Sequence, residues 1–159
     1  LPMSLCGWQK PFILKSTLKV IFMLKQLLST KVSAMQANLS LMLLRVTAGV
    51  LMIPHGYMKL QNFTEFKAKF MDFMGLGPSL SLSLTIGAEL VCSILLIAGL
   101  FTRFAVIPLI VAMIVAVFKA HNGEVFGDGE HAFLYLAAYA VILIAGAGKY
   151  SADGLILKK

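Results

Sequence analysis

The chain has 159 residues, of which 59% are hydrophobic and only 13% charged, and its mean hydropathy is +0.88. A soluble domain carries about twice that share of charge, so a water-soluble globule is excluded and one membrane-embedded domain fits the length. The net charge of +7 does not signal nucleic-acid binding, because Lys10, Lys15, Lys19, Lys25 and Lys31 precede the first apolar run and Lys158 and Lys159 end the chain; membrane proteins place basic ends this way on the cytoplasmic side.

Residues 1–35 read as a basic extension, and residues 36–159 as a four-span membrane domain. Up to about Met23 the extension makes a poor signal peptide, because Lys15, Lys19 and Lys25 interrupt its apolar stretch. Val32-Ser33-Ala34 resembles a cleavage site without an apolar core before it. A basic helix on the membrane surface and an extension outside the working protein are both open readings.

The first span is expected over residues 39–58 and carries Arg45 and His55. A charge near the bilayer centre costs at least ~2.5–3.5 kcal/mol, so such residues turn toward partners or water. Arg45, Met52, His55 and Lys59 fall at i, i+7, i+10 and i+14 and stay within about 80° of arc, forming one stripe. Pro54 removes the amide that would bond the Val50 carbonyl, and a kink there would aim His55 inward.

After this span, Leu60, Phe63, Phe66, Phe70 and Phe73 recur at helical spacing between charged residues. Asn62 followed by Glu65 imitates a capping box. The stretch predicts a short amphipathic interfacial helix, ended by Gly75-Leu76-Gly77-Pro78, serving as an anchor or as a lid.

The second span, 80–101, carries Glu89, the one carboxylate inside a predicted span, and is therefore the expected acceptor for Arg45. Thr85, Glu89 and Ser93 share a face, and Gly87 and Ala88 permit close approach. Glu89 is either ion-paired or protonated: burial raises a carboxylate's pKa and a nearby cation lowers it. The third span, 103–120, is short, with Arg103 and Lys119 snorkelling at its ends. The fourth, 131–148, presents His131, Tyr135 and Tyr139 at i, i+4 and i+8, with His131 at the outer mouth and the tyrosines running inward.

His121, Glu124, Asp128 and His131 between the last two spans are reasonable ligand types, but their spacing matches no metal framework and a solvated loop is the reading adopted. No metal site is predicted. Cys6 and Cys92 are isolated, which leaves neither a dithiol centre nor a cysteine-based zinc site.

The fold class is all-α: an integral membrane four-helix antiparallel bundle with a short amphipathic interfacial helix between spans one and two. An even number of spans puts both termini on one side. The basic N-terminal segment, Arg103 and Lys149 fall there, while the opposite side mixes Lys59, Lys67, Lys69 and Lys119 with five carboxylates, so both termini are expected in the cytoplasm.

Several pieces, kept in order over approximately residues 36–157, resemble the DoxX family of small membrane proteins. They are Leu44-Arg45-Val46, Ile53-Pro54-His55-Gly56-Tyr57-Met58-Lys59-Leu60, the phenylalanine-bearing loop ending Gly75-Leu76-Gly77-Pro78, and Gly87-Ala88-Glu89-Leu90. Gly99-Leu100-Phe101-Thr102-Arg103, Glu130-His131-Ala132-Phe133-Leu134-Tyr135 and the closing Gly146-Ala147-Gly148-Lys149-Tyr150-Ser151-Ala152-Asp153 complete the set. The resemblance implies a four-helix protein of the bacterial cytoplasmic membrane, in a family named for a subunit associated with thiosulfate:quinone oxidoreduction. It implies no family-wide catalytic set.

Together these readings favour a quinone-linked accessory subunit of a membrane oxidoreductase assembly. Glu89 and His55 are the candidate proton-handling groups, and Arg45, Lys59, Tyr135, Tyr139 and His131 the candidate pocket wall. A quinone is the candidate bound group. No haem, flavin or iron–sulfur motif is visible, so electrons would come from a protein partner carrying the redox centre. The bilayer is the other partner, a homo-oligomer is open, and no nucleic acid is expected. One alternative is a non-enzymatic scaffold with a purely structural Arg45–Glu89 network. A small-solute or proton pathway ranks last, since no internal repeat relates the two halves.

Overall fold

The computed structural model describes residues 18–25, 28 and 30–157. Expectations attached to residues 1–17 (Cys6, Lys10 and Lys15 among them) and to Lys158 and Lys159 lie outside the described residues. The chain divides into two units, Leu1–Ala34 and Met35–Lys159. In the first, residues 18–25 are helical and exposed.

Six helices follow, and no strand occurs among the described residues. They are α1 (Ala34–Gln61), α2 (Phe63–Lys69), α3 (Pro78–Ala98), α4 (Thr102–Ala120), α5 (Glu130–Ala145) and α6 (Ala152–Ile156). Three of them, α1, α3 and α4, are long and apolar enough to cross a membrane. The fourth apolar helix, α5, has only 16 residues, spanning about 24 Å against a hydrocarbon core of about 30 Å. It stops at Ala145, short of the expected 148, because Gly146 turns away at φ 84°.

One core gathers side chains from four helices: Ala48 and Met52 of α1, Leu96 of α3, Val106, Leu109 and Met113 of α4, and Tyr139 and Ile142 of α5. The outward faces are apolar as well (Leu43, Leu84, Phe104 and Ile144 are exposed), as a lipid solvent requires. Gly56 sets the spacing of α1 and α3: a Cβ there would meet Leu90 Cγ at 2.8 Å and Glu89 Cβ at 2.9 Å. The missing side chain brings the two backbones together at the level of Glu89.

Two segments depart from α-helical winding. The middle of α3, Ala88–Cys92, and the end of α4, Ala116–Ala120, are π-helical. Such bulges re-aim side chains and concentrate at functional sites.

Two local expectations are corrected. Asn62 precedes α2 but makes no side-chain cap; its amide donates instead to the Met58 carbonyl at 3.0 Å. With α1 running to Gln61, that side chain adds a second bond to a carbonyl that already accepts the Asn62 backbone amide at 3.1 Å, closing α1 rather than opening the next helix. The second correction concerns Arg45, which does not meet Glu89. Its Nη2 donates to the Tyr150 carbonyl at 2.8 Å, and its guanidinium lies against Gly99 so closely that a Cβ there would overlap Nη1. Asp153, whose charge also acts on Arg45, accepts from the amides of Phe101 and Thr102 at 2.8 and 2.9 Å. Its own amide donates to the Gly99 carbonyl at 2.9 Å. The C-terminal turn thus clasps the α3–α4 link and caps the start of α4, where a carboxylate meets free amides and the positive end of the helix dipole.

Candidate functional site

Glu89 sits in the π-helical turn of α3 with its side chain 3% exposed. Lys59, in the last turn of α1, donates from Nζ to both carboxylate oxygens at 2.5 and 2.6 Å, with its side chain 20% exposed. The glycine contact one turn earlier at Gly56 is what lets Lys59 reach across. A buried charge survives only with such a partner, and removing either member strands the other. The expected acceptor in α3 is therefore used, but by Lys59 rather than by Arg45.

The pair stands at the meeting of two cavities. The larger, of about 800 Å³, lies between α3 and α4 under the segment after α2. Leu84, Ile107, Val111 and Val115 give it apolar walls, Phe70 and Phe73 line it from the segment after α2, and Lys59, Lys69, Ser81, Thr85, Glu89, Lys119 and His121 supply polar groups. That segment is pinned by Asp72, which accepts from the Gly77 amide at 2.7 Å, and by Ser81, whose hydroxyl accepts from the Phe73 amide at 3.0 Å. The smaller cavity, of about 170 Å³, is lined by His55, His121, His131, Asp128 and Tyr135 together with Lys59 and Glu89. Both π-helical segments contribute to the larger cavity, through Ala88 and Glu89 and through Ala116, Lys119 and Ala120.

His55 meets Tyr135 edge-on, with centroids 6.1 Å apart, and Tyr135 stacks on Tyr139 at 5.9 Å. Tyr139 is fully buried, and neither its hydroxyl nor that of Ser93 has a hydrogen-bond partner among the described residues. Of the residues expected to form a pocket, Glu89, Lys59, His55, Tyr135 and His131 converge on the smaller cavity. Arg45 and Tyr139 line neither cavity: Arg45 belongs to the C-terminal clasp and Tyr139 to the packed core. His121, which the sequence places in the loop between the last two spans, lines both. Its position at the end of a short apolar run was the signal that could have placed it there. No three His, Cys, Asp or Glu side chains among the described residues form a metal-binding group.

Membrane-length helices around a shared core, with an interior ion pair beside an apolar cavity, define a class: small integral membrane proteins with a polar interior. The model of the DoxX family matches residues 40–122, and the chain belongs to that family. It is 35% identical over 123 residues to an uncharacterized protein of Haemophilus influenzae, covering 73% of this chain and 90% of that protein. A second uncharacterized protein of the same organism is 29% identical over 101 residues, covering 60% and 67% respectively. No solved structure matches the chain significantly.

Proposed function

We propose that this protein is a quinone-linked accessory subunit of an oxidoreductase assembly in the bacterial cytoplasmic membrane, and that its larger cavity receives the quinone. The observation that carries this reading is the Lys59–Glu89 ion pair set into a largely apolar cavity of about 800 Å³. That volume suits a lipophilic ligand, and sites of this kind combine apolar walls with a few orienting polar groups. Lys59 and His121 are the donors for a head-group oxygen, and Glu89 is the group able to hold a proton beside it. A quinone, when bound, takes up two electrons and two protons in becoming a quinol. The electrons come from a protein partner carrying the redox centre.

In this reading α1, α3, α4 and α5 are four antiparallel spans with both termini cytoplasmic. Helix α2 lies in the opposite interface, and Phe70 and Phe73 after it cover the ligand as a lid. The shortness of α5 is accommodated by local thinning of the bilayer or by association with neighbours.

The test is purification in native-lipid particles, with quinone retained per chain measured for wild type and Glu89→Gln. Near-stoichiometric quinone that is lost in a well-folded Glu89→Gln variant supports the site. No enrichment over bulk lipid in either protein overturns it and favours the scaffold reading.

A further inference from the structure

The two cavities share Lys59, Glu89, Ala116 and His121 and otherwise have different walls. All three histidines of the chain line the smaller one: His55 from α1, His121 after α4 and His131 from α5. Asp128 joins them from the intervening loop. His55, Asp128 and His131 are exposed, His121 is half-buried, and Glu89 is almost fully buried. A graded line of proton-carrying groups therefore runs from the surface to one carboxylate.

At about 170 Å³ the small cavity has the volume of roughly five or six waters, at about 30 Å³ each, and seven of its eleven lining residues carry a polar or titratable side chain. Histidine is the side chain whose ordinary titration falls between about pH 5 and 8. The larger cavity carries one histidine, the shared His121, and its wall along Leu84, Ile107, Val111 and Val115 is apolar.

We propose that the smaller cavity is a water-filled proton entry to Glu89, and that the Lys59–Glu89 pair is the partition dividing it from the apolar ligand cavity. In each transfer an imidazolium N–H bond breaks, a proton crosses water, and an O–H bond forms on Glu89; the imidazole is reprotonated from bulk, and no electrons move. The titratable groups surrounding the pair are His55 from α1, Lys119 and His121 from the end of α4, His131, Tyr135 and Tyr139 from α5, Asp128 from the loop, and Lys69 from α2. The inference rests on the proposed site at Lys59–Glu89 and not on the ligand there being a quinone.

The test uses the full chain in lipid vesicles, with Cys6 and Cys92 replaced by serine and single cysteines introduced. Ala132 lines only the smaller cavity, and Val111 only the larger. A charged, membrane-impermeant thiol reagent should modify Ala132→Cys several-fold faster than Val111→Cys, which should react with a lipophilic maleimide. Each substitution is small, so both variants are expected to fold, which their thermal unfolding checks. In a pH jump followed by the infrared band of the Glu89 carboxyl, Ala132→Leu should slow protonation several-fold while Val111→Leu leaves it unchanged. Equal resistance of Ala132→Cys and Val111→Cys to the charged reagent, or an unslowed Ala132→Leu, overturns the proposal. If both results hold while quinone retention fails, the proton entry stands and only the ligand assignment falls.

Discussion

Arg45 and Lys59 lie on the same face of one helix, about 21 Å apart along its axis, and their surroundings are opposite in kind. Arg45 is 2% exposed, packed onto Gly99 and bonded to the Tyr150 carbonyl, and it lines neither cavity. Lys59 is partly open, paired with Glu89, and borders two cavities. One charge lies against the α3–α4 link and bonds the C-terminal turn through Nη2 alone, its Nε and Nη1 having no hydrogen-bond partner among the described residues. The other holds a second charge in place beside empty space. A buried charge in a membrane protein thus takes its role from the room left next to it, and burial alone does not distinguish a clasp from a site.

The strongest attempt to break this contrast removes Arg45. Arg45→Ala removes the charge-assisted bond to the Tyr150 carbonyl and leaves a void where the buried side chain packs on Gly99, losses that together cost about 3–5 kcal/mol. Thermal unfolding in detergent should show the largest drop of the series, while the surviving folded protein retains as much quinone as wild type. A folded Arg45→Ala protein that loses quinone would erase the contrast. Glu89→Gln should do the reverse. It keeps the side chain's shape, weakens stability by about 1–3 kcal/mol through the poorly paired Lys59, and abolishes retention. The double variant Lys59→Met/Glu89→Leu sharpens this further, because apolar replacement of a buried pair is often neutral or stabilising. Its unfolding temperature should recover toward wild type while quinone retention stays absent.

Much of this was legible in the sequence. Hydropathy gave the apolar runs, and the spacing of Arg45, Met52, His55 and Lys59 points one face of α1 inward; Arg45 and Met52 are buried there and Lys59 meets Glu89, whereas His55 is exposed at the edge of the smaller cavity. Periodicity fixes the direction of a side chain around a helix, but not the height at which a neighbouring helix presents its partner. Arg45 was therefore assigned the carboxylate that belongs to Lys59. The π-helical turn around Glu89 has no composition signature and re-aims that residue beyond what a 3.6-residue period predicts. Asp153 reaches Phe101 and Thr102 across about fifty positions of sequence, a contact that only tertiary packing creates. Asn62 failed as a cap because two uses of one side chain compete at a helix junction, and the carbonyl of Met58 won.

A smaller effect separates the two regions by pH. Burial pushes the Asp153 carboxyl up, but the amides of Thr102 and Phe101, then the Arg45 charge, outweigh it and hold the carboxyl below the ordinary aspartate range. A depressed folded pKa stabilises the fold in full above the unfolded value, and that contribution is lost as pH falls through the folded one. The clasp should therefore weaken only in acid, starting at the ordinary aspartate pKa and continuing below it. Unfolding measured against pH should show this decline in wild type, and Asp153→Asn should flatten it. If Asp153→Asn leaves the acid limb unchanged, the carboxylate is not what joins the C-terminal turn to α4.

The smallest effect is expected at Lys69, which pairs with Glu65 at 3.5 Å while their side chains are 79% and 71% exposed. Exposed pairs of this spacing contribute about 0.3–0.5 kcal/mol at most, since water screens them and both side chains lose freedom. Lys69→Ala should leave the unfolding temperature within error, although Lys69 touches the larger cavity as Lys59 does. Its effect on quinone retention is the finer measurement. An unchanged value means that the cavity holds its ligand through the buried pair and its apolar walls. A loss matched by Phe70→Ala would instead place the determinant in the segment that closes the cavity, because a lid acts through its covering side chains whether or not they are charged. The contrast would then lie between a clasp and a covered chamber rather than between two buried cations.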